Sequence, residues 1–274
     1  MVRTDYKAKT SYRGTTAAQY DLKRSWRKKW KREMAVIETL VASFGTDTSI
    51  IDIPVGTGRF LPFYLEGKHP VIGVDISKDM LAQASAKAKG RNPLQTLAYF
   101  MIGDAEQIPL TNKSMDFAIC IRLLNWVTQP CSTLIIRELH RVARQGIVMG
   151  FRSIHPMSLS DFFRLGFRDI LPTPRHLAKW LKKFAIFIRH WGGRIKRLLI
   201  RMTGQPIQNK SPGNDLKPNR TLYNEGEVLR SFHQLGWTLS DTFFIDEVAR
   251  YKRKLVDSYS IYYFKFSGKE SLTS

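Results

Sequence analysis

Residues 50–60, Ile50-Ile51-Asp52-Ile53-Pro54-Val55-Gly56-Thr57-Gly58-Arg59-Phe60, run from a short apolar stretch through two glycines into a segment of helical spacing. Without Cβ atoms at Gly56 and Gly58, backbone N–H groups between a strand and a helix can come close to a ligand. A dinucleotide fingerprint wants a third glycine where Leu61 stands, and a phosphate loop wants a Gly-Lys-Ser/Thr ending that is absent. Asp52 falls four residues before Gly56, at the carboxyl end of the expected strand. A carboxylate there repels a pyrophosphate and attracts a ligand that carries an ammonium and a sulfonium.

Outward from this stretch the pattern repeats. Val71–Asp75 reads as a second strand, Ser77 as the cap of a helix over 78–89 with Asp79 in its first turn, and Gly90 as its stop. Residues 97–102 and 116–121 read as third and fourth strands, 132–144 as an amphipathic helix, and 146–151 as a fifth strand. Strands alternating with helices predict an α/β, doubly wound and mostly parallel sheet covered on both faces. After about seventy residues of a different character come a helix over 225–235 and two alternating segments, 238–244 and 258–266, which complete a seven-stranded sheet. Ahead of the first strand, Trp26, Trp30, Met34, Ile37, Val41 and Phe44 mark one face of a helix predicted over 17–44. The organisation expected is a basic helical segment at 1–45, a cofactor-binding core at 46–152, a basic helical insertion or lid at 153–220, and closing elements at 221–274.

S-adenosylmethionine has the charges that Asp52 suits. Asp75, at the end of the second strand, is where an acid can hydrogen-bond a ribose diol. These motifs resemble the class I S-adenosylmethionine-dependent methyltransferases, in particular the branch similar to quinone-biosynthesis C-methyltransferases. Asp52-Ile-Pro-Val-Gly-Thr-Gly58 looks like the first motif, with Pro54 in place of a glycine, and Val74-Asp75-Ile-Ser looks like the acidic ribose motif. Gly103-Asp104-Ala-Glu-Gln-Ile-Pro109 resembles the adenine-side loop; Asp116-Phe with Asn125-Trp-Val resembles the fourth strand and its sequel, and 138–144 the helix before the fifth strand. The resemblance implies that Asp52 and the amides of Gly56, Thr57 and Gly58 hold the methionine portion, Asp75 the ribose hydroxyls, Ile76 the adenine face, and Asp104 with Ala105 the adenine edge. It also implies that Tyr20, in a Tyr20-Asp21 pair, closes over the cofactor.

Composition bears on the acceptor. The 274 residues carry a formal charge of +21, concentrated in two blocks: residues 1–34 with 11 basic and 3 acidic side chains, and residues 151–220 with 15 and 3. Within the second block, 177–202 read as a basic amphipathic helix with Trp180 and Trp191 on its apolar side. Aromatic and aliphatic groups on one side and cations on the other suit an anionic membrane surface. The expected reaction is methyl transfer to a small-molecule, hydrophobic or lipid-linked acceptor. The alternatives are an RNA methyltransferase that holds RNA by the basic blocks, or a non-catalytic cofactor-binding protein of this fold. Arg122, Asn125, Trp180 and Trp191 are the candidates for the acceptor side, and His155, just past the expected fifth strand, is the candidate base. Cys120 and Cys131 read as ordinary buried thiols and no metal site is expected. No apolar run reaches the length of a membrane span, so the expected location is cytoplasmic, with peripheral attachment to the inner face of the membrane.

Overall fold

The structure, a computed structural model, describes residues 12, 14–90, 97–156, 158, 221–250 and 255–268. It divides into two compact units, one of Met1–Ser153, Asn219–Asp246 and Tyr259–Ser274, the other of Ile154–Pro218 and Glu247–Ser258. The elements in chain order are α1 (Thr15–Ala18), α2 (Lys28–Ala42), β1 (Ile50–Asp52), α3 (Leu61–Glu66), β2 (Val71–Asp75), α4 (Lys78–Lys89), β3 (Ala98–Ile102), β4 (Met115–Ile121), a 3-10 turn (Leu124–Trp126), α5 (Gln129–Val142), β5 (Ala143–Pro156), α6 (Glu225–Gln234), β6 (Trp237–Arg250) and β7 (Leu255–Phe266). They build a seven-stranded sheet in the order β3-β2-β1-β4-β5-β7-β6, and the pairs β3–β2, β2–β1, β1–β4 and β4–β5 are parallel. The expected α/β sheet, doubly wound and mostly parallel, is present.

Strand periodicity sorts the core into two layers. Ile51, Cys120, Met149 and Tyr262 pack on one face with Ile135 and Leu139 of α5 and Phe232 of α6. Their chain neighbours Ile50, Ile119, Val148 and Ile261 pack on the other, against Ile37 and Leu40 of α2, Tyr64 of α3 and Ala84 of α4. Because both faces are covered, every residue of β1 and β4 is buried, which is why these strands read as unbroken apolar runs rather than alternating ones. Phe44, just after α2, stacks on Phe117 of β4 at 3.8 Å and so fixes the helix to the centre of the sheet.

Several boundaries differ from the sequence reading. The helix predicted over 17–44 breaks into α1, a series of turns and α2; Trp26 is 70 % exposed, while Trp30, Ile37, Val41 and Phe44 are buried. Within the break Asp21 accepts from the Thr57 hydroxyl of the glycine loop, a bond between residues 36 positions apart. Helix α5 begins at Gln129 with Pro130 in its first turn and ends at Val142 rather than Arg144. Its end is set by a tertiary cap: the Lys113 ammonium donates to the carbonyls of His140 and Ala143. Strand β5 starts directly at Ala143 and extends to Pro156, so His155 lies on the strand and not beyond it. The basic insertion and its helix over 177–202, with Trp180 and Trp191, lie outside the described residues.

Candidate functional site

At the carboxyl ends of β1, β2 and β4 a cleft opens with about 840 Å3 of empty space, solvent-facing volume included. Ile53 to Thr57, Arg59 and Phe60 supply one wall, Asp75, Ile76, Met80, Gly103 and Ala105 a second, and residues 121–123 with Trp126 a third. Tyr12 and Tyr20 complete the lining from the N-terminal segment. This is the position at which open α/β sheets bind ligands.

The two glycines of the loop do different work. Both have left-handed backbones, φ +55° at Gly56 and +68° at Gly58. A Cβ on Gly56 would meet nothing within 4 Å, so this residue keeps the backbone bare where it lines the cleft. A Cβ on Gly58 would lie 2.3 Å from Leu61 Cδ1 and 3.1 Å from Ala84 Cα, so Gly58 seats the loop against α3 and α4 and is not in the lining. Gly58→Ala is therefore expected to cost about 1–2 kcal/mol of stability through its left-handed backbone alone, more if Ala84 cannot yield. Thermal unfolding reads this, and an unchanged midpoint would contradict the packing role.

Asp75 stands in the lining at the tip of β2, held by two backbone amides: Gly56 N–H donates to Oδ2 at 2.9 Å and Ser77 N–H to Oδ1 at 2.8 Å. Burial raises its carboxyl above the ordinary value, and the amide bonds of Ser77, Gly56 and Ile76 oppose that rise. The result is a carboxylate of fixed orientation facing a cleft, able to accept from vicinal hydroxyls.

Asp52 is placed otherwise than expected. Its side chain is buried behind the loop, receives a hydrogen bond from the Tyr64 hydroxyl at 3.1 Å, and does not line the cleft. Strand alternation explains this, because Asp52 shares the face of Ile50, the face covered by α3. Burial pushes its carboxyl up to about 7, against the Tyr64 bond and the charge of Arg59. From this position Asp52 would act on a cation in the cleft from behind the loop and not by direct contact.

The remaining expectations divide. Gly56, Thr57, Asp75, Ile76, Ala105, Tyr20 and Arg122 come together in the lining. Asp104 does not line the cleft; its Oδ1 accepts from Glu106 N–H at 3.1 Å and shapes the turn that presents Ala105. Asn125 is buried and structural, its Oδ1 accepting from Arg152 N–H at 2.9 Å and its carbonyl from Thr221 N–H at 2.9 Å, so it ties the β4 sequel to β5. His155 belongs to the second unit and is not among the lining residues.

The N-terminal segment is pinned onto the loop. Asp21 accepts from the Thr57 hydroxyl at 2.7 Å and pairs with Lys87 of α4 at 2.8 Å; Gly14 N–H donates to Asp79 at 2.6 Å, and the Ser77 hydroxyl donates to the Tyr12 carbonyl. Tyr12 then sits edge-on to both Tyr20 and Trp126, at 5.7 and 6.3 Å.

Sequence reasoning did not single out Tyr12, Met80, Trp126 or Glu33. Glu33 is fully buried in α2, where Arg59 Nη1 and Arg122 Nη2 each reach its Oε2 at 2.7 Å and Arg122 Nε reaches Oε1 at 3.0 Å. Burial by itself raises the Glu33 carboxyl, but the two arginines outweigh it and hold the group below its ordinary value. The signal was present in the sequence as a lone acid on the apolar stripe between Trp30 and Ile37.

Residues 50–146 match the sequence family described as "Methyltransferase domain". The chain is 25% identical over 158 residues to a malonyl-[acyl-carrier protein] O-methyltransferase of Marinomonas sp. (strain MWYL1), covering 56% of this chain and 56% of that protein. It is 27% identical over 158 residues to a demethylmenaquinone methyltransferase of Protochlamydia amoebophila, covering 56% and 63%. The chain thus spans about half the length of the curated relatives it matches. Its fold is that of magnesium protoporphyrin IX methyltransferase from Synechocystis PCC 6803, solved with bound SAH: TM-score 0.59 over 95% of this chain and 98% of the other, at 15% identity.

Proposed function

Residues 50–146 form a methyltransferase domain of the class I S-adenosylmethionine-dependent kind, and from that premise we propose that the protein transfers a methyl group from S-adenosylmethionine to a hydrophobic or lipid-linked acceptor at an anionic membrane surface. The observation that carries the cofactor assignment is the Asp75 carboxylate, oriented by the amides of Gly56 and Ser77 and sharing one cleft with Ile76 and Ala105. Asp75 would hold the ribose hydroxyls, Ile76 and Ala105 the adenine, and the bare backbone at Gly56 the methionine portion. When bound, the cofactor supplies an activated methyl on a cationic sulfur, open to in-line displacement. The chain's own task is then chiefly positioning and exclusion of water, with a base needed only where the acceptor must lose a proton. Tyr12, Tyr20 and Trp126 cover the cleft with aromatic surface suited to both purposes. Saturable binding of S-adenosylhomocysteine in calorimetry is the expected result; no uptake would overturn the reading.

The membrane part rests on the turns between α1 and α2. Leu22 and Trp26 are 77 % and 70 % exposed, four residues apart, and residues 22–32 contain seven Lys or Arg and no Asp or Glu. Exposed apolar side chains in a cation-rich stretch suit the headgroup region of an anionic bilayer, each exposed basic residue adding about 1 kcal/mol there. The printed names of the two relatives describe a carrier-linked and a quinone-type acceptor, and either class is compatible with such a surface. No described helix is long and apolar enough to cross a membrane; the attachment proposed is peripheral, on the cytoplasmic side. The test is sedimentation with vesicles of phosphatidylglycerol and phosphatidylcholine against phosphatidylcholine alone. Association with the anionic vesicles at physiological salt is expected, reduced about tenfold by Leu22→Ser with Trp26→Ser. No association with vesicles, together with retention of RNA, would instead favour RNA as the acceptor.

A further inference from the structure

The Arg59 and Arg122 side chains, only 10 % and 22 % exposed, line the cleft and share the single carboxylate of Glu33. Every other described hydrogen bond or ion pair leaves them untouched, so each guanidinium keeps N–H groups uncommitted. Trp30 lies against both, its ring centroid 4.6 Å from Arg59 Cζ and 5.6 Å from Arg122 Cζ. The trio therefore carries one positive charge in excess at a poorly hydrated wall, where an unbalanced charge is costly. The acid in the described lining, Asp75, forms an ion pair with neither guanidinium; each of its oxygens accepts from a backbone amide and keeps a lone pair for a ligand hydroxyl.

Two further observations point the same way. Of the four non-glycine residues with left-handed φ among those described (Asp47, Lys68, Lys113 and Arg122), Arg122 is the one that lines the cleft, at φ +70°. Such a backbone is held in place by the surrounding structure and fixes where the Arg122 side chain leaves the cavity wall. The neighbourhood is also crowded with cations: Lys29, one helical turn from Glu33, is pushed down to about 7 by burial and by Arg152, with Arg122 adding to the repulsion.

We propose that Arg59 and Arg122, braced from behind by Glu33, form a carboxylate-binding site in the cleft, and that a ligand carboxylate supplies the missing negative charge. Guanidinium forks match a carboxylate two bonds at a time, which an ammonium does not. Two sources offer the same chemistry: the amino-acid end of the methyl donor, and an acidic acceptor. The first rests on the cofactor reading above; the second does not.

Calorimetry separates them. S-adenosylhomocysteine is compared with its decarboxylated analogue, which keeps the amine and lacks only the carboxylate, on the full chain and on Arg122→Gln. Malonyl-coenzyme A is compared with acetyl-coenzyme A in the same way, with and without saturating S-adenosylhomocysteine. If the donor's carboxylate occupies the site, wild type prefers S-adenosylhomocysteine to the analogue by at least tenfold, and Arg122→Gln abolishes that preference while leaving the analogue's affinity within about twofold. If an acceptor's carboxylate occupies it, the nucleoside pair binds alike and wild type prefers the malonyl thioester by at least tenfold, a preference lost in Arg122→Gln. Should Arg122→Gln fail to fold, Arg122→Lys keeps the charge without the fork and is expected to lose most of the same preference. Absence of any carboxylate preference in wild type, for both pairs, would overturn the proposal. If neither nucleoside binds at all, the cofactor reading fails on its own, and the thioester pair still decides the carboxylate site.

Discussion

Glu33→Ala is expected to lower the free energy of unfolding by about 3–5 kcal/mol, the usual cost of removing one partner from a buried ion pair. The size follows from what is left behind and not from the bond that is lost. Arg59 and Arg122 would remain poorly hydrated with no counter-charge, tied to Trp30 and to the loop after β1. Glu33→Gln keeps shape and some hydrogen bonding and should cost less than alanine. Urea unfolding at neutral pH measures both; a loss below about 1 kcal/mol for alanine would mean that water reaches the trio and screens it. The sign with pH is fixed too. The Glu33 carboxyl is held below its ordinary value in the folded chain, so its contribution is fully present above the ordinary carboxylate range and is lost as pH falls toward the depressed value. Wild type should therefore weaken on acidification by a component that Glu33→Gln lacks.

Asp75→Ala is expected to weaken S-adenosylhomocysteine binding by about 1.5–3 kcal/mol, the range for hydrogen bonds to a charged group, or roughly ten- to 150-fold in Kd. The substitution also frees the amides of Gly56 and Ser77 that now bond to this carboxylate, so the loop loses part of its ordering as well. Asp75→Asn keeps one acceptor and should fall between. Calorimetry gives the affinity, and the rise in melting temperature on adding the ligand should shrink in step. An affinity unchanged within twofold would show that the second strand's acid is not part of the binding site.

The core was legible in the sequence because its signals are local. An apolar run, a glycine pair and a capped helix each depend on residues a few positions apart, and they placed β1, β2, α4 and the cleft between them. What escaped depends on distant partners. Helical spacing joined Trp26 to Trp30, but nothing within 17–44 says that Asp21 will bond to Thr57 and Lys87. The end of α5 carries no glycine because Lys113, from the loop before β4, caps it. Asp52 shows the limit within a motif: its place beside the glycines was clear, yet strand alternation sends its side chain to Tyr64 and out of the cleft lining. Glu33 likewise stood in the sequence among cations, but that it would pair with Arg59 and Arg122 depends on residues 26 and 89 positions away.

The order of the sheet has a consequence for how the protein is made. Strand β7 lies between β5 and β6, although β6 precedes it in the chain. When β6 leaves the ribosome, its sheet neighbour does not yet exist, and the free edge of β5 stays unpaired until β7 arrives. The apolar side chains of β7, among them Tyr259, Ile261 and Phe264, complete both core layers. From the emergence of β5 until that of β7 the nascent chain must therefore carry an open sheet and an unfinished interior, an interval in which unpaired edges invite association with other chains.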